Sequence, residues 1–102
     1  MWPAMVAQKL VTLTVPKPAD GPATGASAQP CGAGFLLRTN TILYEFRIPS
    51  GSPFETAFDA VPVSVPLAIE AKGEAVAYRL DGRGYLTTGE GTMQPISEVG
   101  CP

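Results

Sequence analysis

From Val61 to Ala71 every odd-numbered residue is apolar: Val61, Val63, Val65, Leu67, Ile69 and Ala71. The even positions hold Pro62, Ser64, Pro66, Ala68 and Glu70. A period of two is that of a β-strand, and a helix cannot keep such a set on one face. The run predicts a strand with one buried face. Pro62 and Pro66 cannot donate to a ladder, which places that strand at the edge of a sheet.

The same period recurs along the chain. Val11, Leu13 and Val15 alternate with Thr12 and Thr14 and predict a first strand over 10–15, ended by Pro16. Phe35-Leu36-Leu37 and Ile42–Ile48 are strand-like, with Ile42, Tyr44, Phe46 and Ile48 on one face and Leu43, Glu45 and Arg47 on the other. Residues 38–41 between them suit either a hairpin turn or the middle of one long strand. Pro49-Ser50-Gly51-Ser52-Pro53 is a turn, and Phe54 and Phe58 have the spacing of a short helical turn. Residues 75–87 read as a hairpin about Asp81-Gly82, with Gly84 leaving a gap for a neighbouring aromatic or backbone. In the tail, Met93, Ile96 and Val99 fit either an irregular strand or a helical turn. No internal repeat is evident.

Glycine and proline supply 22 of 102 residues, close to the roughly 25–30% at which disorder becomes the default. Eight of them fall in the 19 residues 16–34, where almost everything else is small. Such a segment buries too little apolar surface to order itself, so it is expected to be a surface loop or an arm lying along a partner. The expected architecture is a single all-β domain over residues 1–102. It is a small antiparallel β-sandwich or barrel of six or seven short strands, with an N-terminal arm at 1–9 and a long loop or arm at 16–34.

The composition narrows the chemistry. The chain has no histidine, which removes Ser-His, Cys-His and His-metal sites. Cys31 therefore lacks a base. Asp59 and Asp81 form a carboxylate pair only if the fold joins them. Gly82-Arg83-Gly84 and Gly89-Glu90-Gly91 lack the strand-then-helix setting of a phosphate loop, and Asp81-Gly82 lacks the ligand series of a calcium loop. No catalytic residue, metal site or cofactor is expected. Cys31 and Cys101 have 69 residues between them; a bridge would stabilise by about 4 kcal/mol, and two free thiols are the other reading. The seven cations are scattered, so no nucleic-acid surface is expected. No apolar run approaches a membrane span, and the start lacks the basic region of a signal peptide.

Charged residues make up only 16% of the chain, and charge depletion is typical of surfaces that face other proteins. Trp2 and Met5 near the N-terminus, and Pro16, Pro18, Pro22 and Pro30 in the long segment, are the expected contact residues. An aromatic anchor favours an interface, and proline lowers the entropy lost when an arm is fixed. Phe35, Tyr44, Phe46, Tyr78 and Tyr85 lie on strands and read as core or, if exposed, as a sugar-stacking platform.

The overall plan resembles that of small structural proteins of tailed-bacteriophage virions. It combines a short β chain, an apolar N-terminus, a Pro/Ala/Gly arm at 16–34 and the strand-turn Ala75-Val76-Ala77-Tyr78-Arg79-Leu80-Asp81-Gly82. The resemblance implies a non-enzymatic virion protein, a capsid decoration (cement) protein or a tail or fibre component. Such a protein acts as a homo-oligomer through contacts with its own copies and with a larger capsid or tail. The alternative is a ligand- or glycan-binding β module.

Overall fold

A computed structural model describes residues 6–13, 21–70 and 72–100. They form seven antiparallel strands in two sheets. The first sheet holds β1 (Gly25–Ala28), β2 (Gly34–Arg38), β3 (Leu43–Arg47) and β4 (Val63–Val65), in that order. The second holds β5 (Gly73–Tyr78), β6 (Gly84–Gly89) and β7 (Ile96–Gly100). A 3₁₀ helix, Phe54–Asp59, links β3 to β4. The architecture is the expected small β-sandwich.

Both faces of the first sheet are covered, because β2 and β3 carry apolar residues at odd and even positions alike. On one face Phe35, Tyr44 and Phe46 pack against Ala57 of the 3₁₀ helix. Phe35 and Phe46 are register partners, and their rings stack with centroids 4.6 Å apart. On the other face Leu36 and Leu43, both fully buried, meet Val76 and Tyr85 of the second sheet. Phe54 and Phe58 lie on the 3₁₀ helix, the helical turn their spacing suggested, and their rings meet edge to face.

Two strand expectations are corrected. Residues 10–13 form no strand; Leu10 and Val11 are exposed and only Leu13 packs on the core, while Thr14 and Val15 lie outside the described residues. Ala71 lies outside the described residues, and among its described residues the run 61–71 yields only the three residues of β4. It is an edge strand, as its prolines require, but Pro62 and Pro66 also bracket it. Val61 and Ile69, expected on the buried face, are exposed.

The segment 16–34 is corrected in its second half. Gly25–Ala28 pairs with β2, and it also lies beside β5. Thr24 Oγ1 donates to the Gly73 carbonyl at 2.9 Å, and the Tyr78 N–H donates to Ser27 Oγ at 3.0 Å. Both contacts advance together, so β1 and β5 run in the same direction. Small residues permit this: a Cβ at Gly25 would lie 2.6 Å from the Glu74 carbonyl oxygen. The low bulk that argued for a loop is what lets this strand fit between two sheets.

The structure also shows a repeat that the sequence reading missed. Gln29-Pro30-Cys31-Gly32-Ala33-Gly34-Phe35 and Arg79-Leu80-Asp81-Gly82-Arg83-Gly84-Tyr85 make the same turn, fifty positions apart. In each, the first residue's N–H donates to the second glycine's carbonyl, and the first glycine's N–H donates back, all at 2.9 Å. Gly32 and Gly82 have φ of 79° and 70°, a conformation that strongly favours glycine. Gly34 and Gly84 each face a backbone carbonyl, that of Phe46 or Val99, too closely for a Cβ. Backbone thus fills the gap expected at Gly84. Only two glycines and an aromatic ring are shared by sequence, too few to stand out in so glycine-rich a chain.

One buried ion pair joins the two sheets. Arg38, at the end of β2, is fully buried. Its Nη1 donates to Glu70 Oε1 at 3.0 Å and to the Ala75 carbonyl of β5 at 2.9 Å. Its Nε and Nη2 donate to the carbonyls of Thr39 and Asn40. Thr87 Oγ1 of β6 donates to Glu70 Oε2 at 3.2 Å. Residues 66–70 thus strap the sheets together, and the Tyr85 hydroxyl adds a bond to the Pro66 carbonyl. Glu70 stood on the expected outward face of a strand; because the chain leaves β4 at Pro66, it turns inward instead.

Breaking this pair on one side leaves a buried charge uncompensated, at a cost of about 3–5 kcal/mol. Arg38→Met is expected to lower the unfolding free energy by that order. The double variant Arg38→Met/Glu70→Leu is expected to recover most of the loss. Urea denaturation of the three chains measures both.

Candidate interaction surface

The expected contact residues divide between described and undescribed parts of the chain. Trp2, Met5, Pro16 and Pro18 lie outside the described residues. Pro22 and Pro30 are exposed, Pro22 before β1 and Pro30 in the β1–β2 turn. Cys31, next to Pro30, is an exposed free thiol. Its N–H and that of Ala33 donate to Gln29 Oε1, so the glutamine side chain holds this turn from within.

The residues considered for chemistry have structural work. Asp81 accepts from the Arg83 N–H at 2.9 Å and pairs with Arg79 at 2.9 Å, which fixes the β5–β6 turn. Asp59 closes the 3₁₀ helix. Gly82 sits at the positive-φ position of its hairpin turn, and Gly91, with φ of 117°, lies between β6 and β7. Phe35, Tyr44, Phe46 and Tyr85 are buried and Tyr78 is half-buried, so no open stacking platform exists on these strands.

A cleft of about 320 Å³ opens beside the twin turns, lined by Gln29, Glu45, Arg47, Tyr78 and Gly82 among others. Glu45 lies on the face of β3 that looks toward the second sheet, where its carboxylate accepts from Arg47 Nε and from the Tyr78 hydroxyl. The hydroxyl of Tyr78 is pushed well above the usual tyrosine range, first by burial and then by the negative charge of Glu45. The same carboxylate raises the Arg47 guanidinium, chiefly through its hydrogen bond.

Apolar side chains cover much of the outside. Among the described residues ten large apolar side chains are exposed, against eight apolar residues in the buried core. They include Val6, Leu10 and Val11 on the N-terminal segment, Val61 and Val63 around β4, and Leu80, Met93 and Ile96 near the second sheet. A shallow apolar groove of about 290 Å³ runs between β1 and the 3₁₀ helix, lined by Leu13, Ala26, Phe35, Leu37, Phe54 and Phe58.

The sheet edges differ. β4 is three residues long and closed by prolines at both ends. β7 is five residues long and, among the described residues, pairs only with β6; Pro95 precedes it directly, and no proline closes its other end among the described residues. On its outer side Ile96 is 73% exposed, and Glu98 lies next to it, sharing Arg79 with Asp81 at the longer distance of 3.5 Å. The sequence left the tail open between strand and helical turn, so this edge was not foreseen. No period-two signal marked it, since the apolar Ile96 and Val99 are three residues apart and fall on opposite faces of β7.

No protein-family model matches the chain, and neither a curated protein nor a solved structure matches it.

The raised Tyr78 hydroxyl gives a pH dependence with a definite sign. The unfolded chain releases this proton near pH 10, whereas the folded chain holds it to higher pH. Above about pH 10 the folded state binds more protons, so stability falls as pH rises; below it the contribution is fully present. Urea midpoints measured in steps across this range are expected to decline, and Tyr78→Phe is expected to decline less steeply.

Proposed function

We propose that the chain is a non-catalytic structural protein that acts by protein–protein contact within a larger assembly. The type it resembles is the capsid decoration or tail component of a tailed-phage virion, present as several copies of itself on a larger protein body. The observation that carries this reading is the ratio of exposed to buried apolar residues. A small domain exposes some apolar residues of necessity, and single ones need no explanation. Here exposed large apolar residues outnumber the buried apolar core, and charge is sparse, as at surfaces that become covered. The outer side of β7, which has no strand partner among the described residues, adds backbone donors and acceptors beside the exposed Ile96.

A ligand-binding β module is the second reading, favoured by the cleft around Glu45, Arg47 and Tyr78. Arg47 is exposed, so Arg47→Ala leaves the core intact. Specific binding on a glycan array that disappears in this variant would support the module.

Light scattering on the eluting size-exclusion peak tests the structural reading. The purified chain is expected to show a mass above one chain that rises with concentration over about a hundredfold range. A monomeric mass throughout that range would count against it.

A further inference from the structure

We propose that residues 6–12 of one copy of this chain add as a strand to the β7 edge of a second copy. This deepens the structural reading above and rests on it. The segment Val6-Ala7-Gln8-Lys9-Leu10-Val11-Thr12 has strand-forming residues toward its C-terminal end, yet it forms no strand in its own chain. Val6, Leu10 and Val11 are exposed. Leu13 packs on its own core and anchors the end of the segment there. Of the two sheet edges made by β4 and β7, the first is three residues held between Pro62 and Pro66, whereas the second runs five residues after Pro95 with no proline at its other end among the described residues.

Charge selects the occupant. A second β7 is a poor partner: two-fold antiparallel pairing centred on Glu98 sets that carboxylate against its own copy. The N-terminal segment carries Lys9 instead. Placed antiparallel with Lys9 opposite Glu98, it also brings Val11 opposite the exposed Ile96, and Ala7 opposite Gly100, all on the outer face. Leu10 and Gln8 then fall opposite Ser97 and Val99 on the inner face. One register satisfies the ion pair, the apolar pair and the pleat together. Each copy offers one segment and one edge, so the contact is head-to-tail and builds a ring or an open chain of copies.

Charge reversal tests the pairing in the full chain. Lys9→Glu and Glu98→Lys both change exposed side chains, and near-ultraviolet circular dichroism checks that each variant keeps the fold. Each variant alone places like charges opposite one another and is expected to weaken self-association by about tenfold in sedimentation. An equal mixture restores opposite charges at both kinds of contact, so it is expected to assemble as the unaltered chain does. Variants that each assemble normally, or a mixture that fails to recover, would overturn this pairing, while self-association of the unaltered chain would still uphold the structural reading. A chain that stays monomeric without any substitution would overturn both.

Discussion

The Arg38–Glu70 pair is the constraint on which the rest of the structure depends. The inner face of the first sheet has little apolar material: Leu36 and Leu43 fill its centre, and Arg38 and Glu45 flank them. A guanidinium taken wholly out of water must have partners for its donors. Arg38 finds them in Glu70 and in three backbone carbonyls, one of them on β5. The position of the strap and the spacing of the sheets follow from that need. Gly73 follows as well, since a Cβ there would lie 1.7 Å from Arg38 Nη2.

This seam makes the two sides of the molecule unequal. On one side β1 and β5 lie together in the same direction, held by the side chains of Thr24 and Ser27 rather than by a backbone ladder. Two similar three-strand meanders with the same glycine turn are thereby set side by side. On the far side the strap joins the sheets through Glu70 and Pro66, and β4 and β7 remain as separate edges. The first is blunt and the second open. A small core cannot cover every apolar residue the chain carries, and the surplus lies outside, with Val63 of β4 and Ile96 of β7 among it.

Much of this was legible in the sequence. Alternation identified the strands built on Ile42–Ile48 and Ala75–Leu80, while Phe35–Leu37 was legible only as a short apolar run. Asp81-Gly82 located its hairpin because few residues accept that turn. The failures have one cause: local pattern does not say which neighbour a strand has. Leu10–Val15 alternates well, but its described part has no sheet partner in its own chain. Gly25–Ala28 has almost no pattern, yet two neighbours make it a strand. Parity did hold a clue to the buried pair. Arg38 lies two residues after Leu36, on the same face, so once Leu36 is core the arginine must be buried too. For Glu70 no such clue existed, since its burial depends on where the chain leaves β4. The expected contact residues drew on composition alone, and the open β7 edge had to be seen in three dimensions.

The fold is closed at the Arg38–Glu70 seam, and the outer side of β7, where assembly is proposed, has no strand partner among the described residues. Residue-resolved amide hydrogen exchange, measured on dilute and on concentrated chain, tests it most directly. Slow exchange is expected for β2 and β5 beside the seam in both samples. The outward amides of β7 are expected to exchange fast when dilute and to be protected when concentrated. Outward β7 amides already protected in the dilute monomer, or unprotected in the assembled form, would contradict it.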